Sequence, residues 1–279
     1  VEILRCQSPL EPRVAPFMAS GALLDEVLQL GIPLTPLGLT RDLKRLGRDF
    51  PRAAQRTMAL CRIPGSILHA HMWHADMFCR VVGAFTHTPV VSTYQLAQMP
   101  VWRTQLDRWT RKWLGARIAV SEDVKGFIQR ELGGEVQVQV IPNAVRPVEV
   151  LPKSEARARL ELPVEAPVIG CLARVDPQKD PALFAEVYLR AKSSCPALLA
   201  VWMGAGSPSL TQVLKRAGVL TVGYQPDGSR LLSALDVHVF CSRVEGLSLS
   251  LLECWSAGVP VVATAVPGFS GVIHPGVNG

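Results

Sequence analysis

The sequence predicts an α/β protein made of two tandem Rossmann-like domains, each a doubly wound parallel sheet, and three observations predict it. Short apolar runs alternate with helix-like stretches along the whole chain. The runs place Val, Ile and Leu on neighbouring positions, as strands covered on both faces require. The alternation is interrupted once, between Pro142 and Pro167, by five prolines and a short charged helical piece, Ser154–Leu160, the composition of a linker. A boundary near residue 147 divides the chain into domains of residues 1–147 and 148–279. With 279 residues, 48% of them hydrophobic, the chain can fill two cores of ordinary size.

In the first domain, Val1–Leu4 and Ile32–Leu37 read as strands flanking a helix at Ala22–Leu30, which Gly31 ends as a C-cap. Leu39–Arg62 follows as a basic helical region. Ser66–His71 is the next strand, Met72–Phe85 a helix, Pro89–Thr93 a β-branched strand, Val101–Leu114 a helix and Arg117–Val120 a strand. Ser121 is placed as an N-cap, with Glu122 and Asp123 in the first turn of a helix that runs to Leu132 and stops at Gly133-Gly134. Val136–Ile141 closes the series. In the second domain the strands are Val168–Leu172, Ala197–Met203, Val219–Val222, Val237–Cys241 and Val259–Thr264. The helices between them are Pro181–Lys192, Leu210–Ala217, Gly228–Leu235 and Leu247–Ser256. A cleft between two such domains is the default ligand site.

Composition excludes several classes. Charged residues are only 19% and the mean hydropathy is +0.23, unlike a disordered tail or a coiled coil. The longest uncharged stretch, Cys254–Gly279, holds three prolines and cannot be a spanning helix. No cationic segment followed by an apolar run opens the chain, so a cytoplasmic protein is expected. The seven cysteines contain no CxxC pair and read as reduced core thiols. The net charge of +6 is concentrated in residues 1–150, which carry 18 Lys and Arg against 13 Asp and Glu, compared with 11 against 10 in the rest. A basic half suits an anionic membrane surface, a phosphorylated substrate or nucleic acid, and equally a plain solvated face.

The sharpest constellation is Ser242-Arg-Val-Glu245-Gly246-Leu247, followed on the next helix by Glu253, two carboxylates with seven residues between them. Gly246 lets the backbone approach a ligand, the helix start offers free N–H groups to an anion, and Glu253 can accept hydrogen bonds from vicinal hydroxyls. Arg174 and Lys179 follow a strand and precede a helix, where a doubly wound fold binds phosphate. Gly204-Ala-Gly206 superficially resembles a dinucleotide fingerprint but lacks the third glycine. His69, His71 and His74 with Asp76 have metal-ligand spacing, although such histidines are more often satisfied residues near a sheet edge. Trp102, Leu106, Trp109 and Trp113 form one apolar stripe flanked by Arg103, Arg111 and Lys112. It suits core packing, the plainer reading, or an interfacial helix on anionic lipid.

Taken together these motifs resemble the retaining, nucleotide-sugar-dependent glycosyltransferases of family 4, whose signature is Glu-x7-Glu. The resemblance also covers Ile169-Gly-Cys-Leu-Ala-Arg174, Val140-Ile-Pro-Asn143, Ile118-Ala-Val-Ser121-Glu and His69-Ala-His71-Met-Trp-His74. It implies the GT-B fold, with an acceptor-side first domain and a nucleotide-sugar-binding second domain. Arg174 and Lys179 would hold the donor diphosphate and, with Glu245 positioning the sugar, form the catalytic set. Gly204, Gly223, Tyr224, Ser242, Gly246, Leu247 and Glu253 would line the donor pocket, and His71, His74, Tyr94 and Gln95 would lie on the acceptor side.

The resemblance further implies no metal and no cofactor beyond the nucleotide-sugar substrate, a saccharide or polyprenol-linked acceptor in polysaccharide or glycoconjugate synthesis, and no nucleic acid. Peripheral association with the inner face of an anionic cytoplasmic membrane is a further expectation. An epimerase or hydrolase of the same fold, or an inactive nucleotide-binding scaffold, is the alternative. Relative to the family, a first strand with its Gly-rich loop and the C-terminal elements are not present in the sequence, so both domains are expected to be incomplete. Tyr94-Gln95 stand where the family commonly has a His.

Overall fold

The computed structural model describes residues 11–18, 24–39, 43–133 and 137–279. The expected strand Val1–Leu4 lies outside them, as do Gly134 and Val136. The chain divides into two compact units. The first comprises Val1–Tyr94, Pro100–Ala119 and Ile128–Gln139, and the second Gln95–Met99, Val120–Phe127 and Val140–Gly279.

The first unit carries strands β1 (Leu68–His71), β2 (Val90–Tyr94), β3 (Ala116–Ala119) and β4 (Val138–Val140), side by side in chain order. β1, β2 and β3 run parallel. Its helices are α1 (Leu24–Gln29), α2 (Leu43–Cys61), α3 (Trp73–Thr86) and α4 (Val101–Thr110), the last prolonged by a 3-10 turn, Arg111–Trp113. Leu37, Leu39, Ala53, Phe78 and Val82 form its apolar core against α2 and α3. The expected strand Ile32–Leu37 does not form. Leu34 makes a single parallel bridge to Val14, and Pro33 and Pro36 deny two donors to any longer ladder.

The core-packing reading of the Trp102, Leu106, Trp109 and Trp113 stripe on α4 is also corrected. Its polar residues Thr104, Asp107 and Thr110 are buried, whereas Trp102, Leu106, Trp109 and the following Trp113 are exposed. The cause is a buried ionic cluster. Arg80, fully buried on α3, bonds Asp76 through Nε at 2.8 Å, and one terminal nitrogen meets Asp107 at 2.9 Å and the Tyr94 hydroxyl at 2.8 Å. Arg117 on β3 reaches the other oxygen of Asp107 at 2.7 Å, and the Tyr94 hydroxyl donates to Asp107 at 2.5 Å. Ser92 donates to Asp76. Two guanidiniums and two carboxylates buried together must face one another, so α4 turns its polar side inward.

In the second unit the sheet order is β7 (Leu220–Gly223), β6 (Leu199–Met203), β5 (Val168–Leu172), β8 (Val237–Phe240), β9 (Val261–Ala263), with every paired strand parallel. Alternate residues of β6 feed two cores, as the two-residue strand period dictates. Val201 and Met203 pack with Leu231, Leu251 and Phe269 on one face, and Ala200 and Trp202 with Phe184, Tyr188 and Leu214 on the other. Helices α5 (Glu122–Phe127), α6 (Lys153–Arg159) and α9 (Leu249–Ser256) accompany α7 (Pro181–Ser194) and α8 (Pro208–Arg216). Ser121 caps α5, accepting from the Val124 N–H at 3.3 Å. Covered on both faces, this sheet is the doubly wound arrangement the sequence predicts. Cys171, Cys241 and Cys254 are buried, and burial pushes the Cys241 thiol up to about 12, so it is a core thiol.

Candidate functional site

The strand order of the second unit reverses direction between β5 and β8, and ligands of such sheets sit beyond the carboxyl ends of the strands at that point. Across this gap the ladder is short. Ile169 pairs with Val237 and Gly170 with His238, the Asp236 N–H donates to the Val168 carbonyl at 2.9 Å below them, and above Gly170 the backbone pairing ends. Side chains add a bond at each end. The Asp236 carboxylate accepts from the Val168 N–H at 2.7 Å, and the His238 ring accepts from the Leu172 N–H at 2.8 Å through Nε2. On its other edge β5 keeps bonding in the backbone register, from Ala173 to Met203 and from Val175 to Ala205. The strands therefore part at Leu172, immediately before the loop that carries Arg174 and Lys179.

That loop is held open by caps. Asp176 caps a 3-10 turn, Pro177–Lys179, and Asp180, at a left-handed φ of 46°, caps α7 by accepting from the Leu183 N–H at 3.2 Å. The loop after β8 lies against it. The Arg243 N–H donates to the Gln178 carbonyl at 2.8 Å, the Gln178 amide donates to the Val244 carbonyl at 3.0 Å, and Arg243 Nε meets Asp180 at 2.8 Å. This stitching brings Lys179 Nζ within 2.5 Å of Glu245 Oε1, with Glu245 buried. Arg174 is largely exposed and pairs with Asp176 at 2.9 Å.

Gly246 is required by a close approach. A Cβ there would lie 2.0 Å from the Gln95 carbonyl oxygen, so the backbone of Gln95 already occupies the space that the missing side chain leaves. Asn143 fixes the same loop, donating to the Leu247 carbonyl at 2.8 Å and to Gln95 at 3.4 Å. Leu247 and Ser242 are buried, and Ser248 precedes α9 with no side-chain cap, leaving the first N–H groups of that helix uncapped by it. Glu253 is half-buried two turns on, and burial lifts its carboxyl above the usual range. Gly204, at φ 149°, donates to the Gly223 carbonyl at 2.7 Å, and a Cβ on it would lie 1.9 Å from the Ala173 carbonyl oxygen. The glycine pair of the apparent fingerprint thus serves the packing of this loop under the β5 loop. Tyr224 follows, exposed.

The predicted residues of the first unit are placed separately. His71 ends β1 and His74 lies in the first turn of α3, both exposed, at the carboxyl end of the sheet. His69 bonds Thr93 at 2.8 Å and its ring lies 4.4 Å from that of His71. Among the described residues no group of three His, Cys, Asp or Glu side chains is arranged to hold a metal ion. Tyr94 ends β2 with its hydroxyl committed to the buried ionic cluster, where burial raises its pKa. Sequence reasoning missed Asp180, Asp236, His238 and Arg243. The one visible signal was a histidine inside the apolar run Val237–Phe240.

Residues 11–149 match the sequence profile described as Glycosyltransferase Family 4, and residues 166–279 that described as Glycosyl transferases group 1. The chain is 29% identical over 155 residues to a lipopolysaccharide core biosynthesis glycosyltransferase, LpsE, of Rhizobium meliloti, covering 53% of this chain and 44% of that protein. It is 25% identical over 225 residues to the Escherichia coli UDP-Gal:alpha-D-GlcNAc-diphosphoundecaprenol alpha-1,3-galactosyltransferase, covering 72% of this chain and 58% of that protein. The matches thus span about half the length of these relatives. In fold it is similar to Anabaena Alr3699/HepE, solved with UDP-glucose, at a TM-score of 0.80 and 21% identity over 95% of this chain and 76% of that one. Two Rossmann-like domains in tandem are thereby the fold of this chain as well.

Proposed function

The chain belongs to glycosyltransferase family 4, and from that premise we propose that it is a retaining, metal-independent glycosyltransferase. It moves a sugar from a nucleoside-diphosphate donor to a saccharide or lipid-linked acceptor in polysaccharide or glycoconjugate synthesis. One observation carries the reading: Lys179 and Glu245 meet at 2.5 Å where β5 and β8 part, beside the start of α9. A cation, a buried carboxylate and helix N–H groups together suit a departing diphosphate and the sugar attached to it. The names of the relatives support a nucleotide-sugar donor and a diphosphoundecaprenol-type acceptor.

In this reading the second unit binds the donor. Arg174, Lys179 and the amides at Gly246-Leu247 stabilise the diphosphate, in the role that other enzymes give to a metal ion. Glu245 positions the sugar and Glu253 accepts from the ribose hydroxyls, with Gly204, Gly223, Tyr224 and Ser242 lining the pocket. His71, His74 and Gln95 serve the acceptor side, and Tyr94 positions its strand end through the ionic cluster. The bond from the anomeric carbon to the diphosphate breaks while the acceptor oxygen bonds that carbon on the same face. The acceptor proton passes to the departing phosphate oxygen. A lipid-linked acceptor would bring the protein to the inner face of the cytoplasmic membrane.

The test is turnover of UDP-, GDP- and ADP-sugars in EDTA, with and without acceptor. Arg174→Ala and Lys179→Ala should each lower kcat by about 10²-fold or more. Unchanged kcat in both variants would end this assignment, and donor breakdown independent of acceptor would make the protein a hydrolase.

A further inference from the structure

The turn that follows β9 lies against the backbone of the Glu245 loop. Gly268, at a left-handed φ of 88°, sits so close that a Cβ on it would lie 2.5 Å from the Gly246 carbonyl oxygen and 2.6 Å from the Glu245 carbonyl carbon. The Glu245 N–H donates to the Pro267 carbonyl at 3.3 Å. Main chain therefore rests on main chain, and the place of Pro267-Gly268 sets the place of the backbone that carries the Glu245 carboxylate.

The ends of this turn are anchored nearby. The Thr264 hydroxyl donates to the Ser242 carbonyl at 2.6 Å, and the buried Phe269 ring lies 5.1 Å from that of Phe240 on β8. Gly268 between them is held from far away in the chain. Its N–H donates to Asp123 Oδ2 on α5 at 2.7 Å, across 145 residues. A second glycine leaves room for that carboxylate, because a Cβ on Gly271 would lie 3.1 Å from the same oxygen. The sequence accounts for Asp123 as an acid in the first turn of a helix, and the structure adds a reach to the turn behind the site. A hydrogen bond to an ionised acceptor is roughly twice as strong as a neutral one, which suits a single contact holding a turn.

The far end of the Glu245 loop has a tether of its own, since Asn143 donates to the Leu247 carbonyl at 2.8 Å. The two tethers act on different residues. Asn143 holds Leu247, whose amide serves the diphosphate in the proposed reaction, and Asp123 acts through Gly268 on Glu245, which serves the sugar. We propose that Asp123 is a positioning residue for the transferred sugar: by gripping Gly268 it fixes the main chain of Glu245, so that the Glu245 carboxylate meets the sugar hydroxyls. Asp123 itself touches no substrate and moves no proton. Its role in recognition rests on the proposed donor site, and the clamp itself on the geometry of the turn. Support of this kind matters because a displacement of about 1 Å in a positioning group costs on the order of 10²-fold.

The test needs no acceptor. Calorimetry compares the binding of UDP, GDP and ADP with that of UDP-glucose, UDP-galactose, GDP-mannose and ADP-glucose in wild type, Asp123→Ala and Asp123→Asn, and hydrogen exchange follows the Gly268 and Glu245 amides. In Asp123→Ala both amides should exchange at least about tenfold faster. The nucleotide sugar that wild type binds should bind at least about tenfold more weakly, while its nucleoside diphosphate changes by less than about threefold. Asn keeps an oxygen that can accept the Gly268 N–H, so Asp123→Asn should restore sugar-nucleotide binding to within about threefold of wild type. Unchanged nucleotide-sugar binding by Asp123→Ala overturns the proposal, and so does an equal loss for the nucleoside diphosphate, since the whole loop has then loosened. Asp123→Asn as weak as Asp123→Ala, with its Gly268 amide still protected, overturns it too, because the carboxylate then meets the ligand directly. A wild type that binds none of these ligands fails the donor-site reading and takes the role of Asp123 with it, whereas normal binding by both wild type and Asp123→Ala sinks this proposal alone.

Discussion

Lowering the pH tests the account of the gap between β5 and β8. His238 is fully buried, its Nε2 accepts the Leu172 N–H at 2.8 Å, and its Nδ1 has no partner among the described residues. As an acceptor, Nε2 must be unprotonated, and burial, reinforced by the charge of Lys179, lowers the pKa from 6.5 to about 3. In the unfolded chain the ring takes a proton near pH 6.5, whereas in the folded chain it does so only near pH 3. Stability is therefore complete above the unfolded value and is lost as pH falls through the window between the two. Each pH unit costs about 1.4 kcal/mol, so acidification to pH 4 removes roughly 3 kcal/mol through this one residue. His238→Phe lacks both the proton site and the acceptor. At pH 7 it should cost about 1–3 kcal/mol for the orphaned Leu172 N–H, and that deficit should shrink as wild type is acidified. Urea unfolding of both proteins from pH 7 to 4, with hydrogen exchange of the Leu172 amide, measures each part. Parallel stability profiles for the two proteins, or an unchanged Leu172 exchange rate, would refute the reasoning.

Removing Asp107 strips both Arg80 and Arg117 of a buried partner, so Asp107→Ala should cost about 3–5 kcal/mol, whereas Glu155→Ala, which breaks an exposed pair with Arg159, should cost less than about 1 kcal/mol in the same denaturation assay. Gly204→Ala drives a Cβ into the Ala173 carbonyl and should cost about 3 kcal/mol or more, while Gly223→Ala meets no atom within 4 Å and should cost only about 1 kcal/mol for its positive φ. UDP affinity, measured by calorimetry, should fall as the pH drops through the raised pKa of Glu253, and Glu253→Gln should bind about tenfold more weakly at neutral pH with that pH dependence abolished.

Much of the second unit is legible because period and punctuation agree there. Val168–Leu172 is bounded by prolines and charged turn residues, and its expected limits match β5. The Glu-x7-Glu pair is legible through its neighbours: two glutamates alone read as ordinary surface residues, and the accompanying motifs from Ile169 to Lys179 and from Val140 to Asn143 carry the resemblance. The first unit is less legible, and α4 explains why. Periodicity finds an apolar stripe but not its direction, and the direction is set by Asp107, whose partners Arg80 and Arg117 lie 27 and 10 residues away along the chain. Likewise no local pattern says that His238 will replace a strand carbonyl, because the Leu172 N–H that it accepts is 66 residues distant. Gly246 is visible as a glycine, but the carbonyl that demands it belongs to Gln95.

Charge balance at the loops constrains how a donor can be held. Arg174, Lys179 and Arg243 are matched by Asp176, Glu245 and Asp180 at 2.9, 2.5 and 2.8 Å, so three cations already have three carboxylates. An arriving diphosphate must exchange partners with these acids or draw on the uncapped start of α9. Arg174 is the cheapest cation to recruit, because its guanidinium is largely exposed and an ion pair screened by water contributes little. Lys179 is different: drawing it away strands the buried carboxylate of Glu245, at a cost of about 3–5 kcal/mol unless another donor replaces it. In the proposed reaction the hydroxyls of the transferred sugar are that replacement. A nucleoside diphosphate alone then engages Arg174 and the helix amides, and only the complete donor releases Lys179 to the phosphate. In that reaction the Lys179–Glu245 pair makes full engagement of the leaving group depend on the presence of the sugar to be transferred.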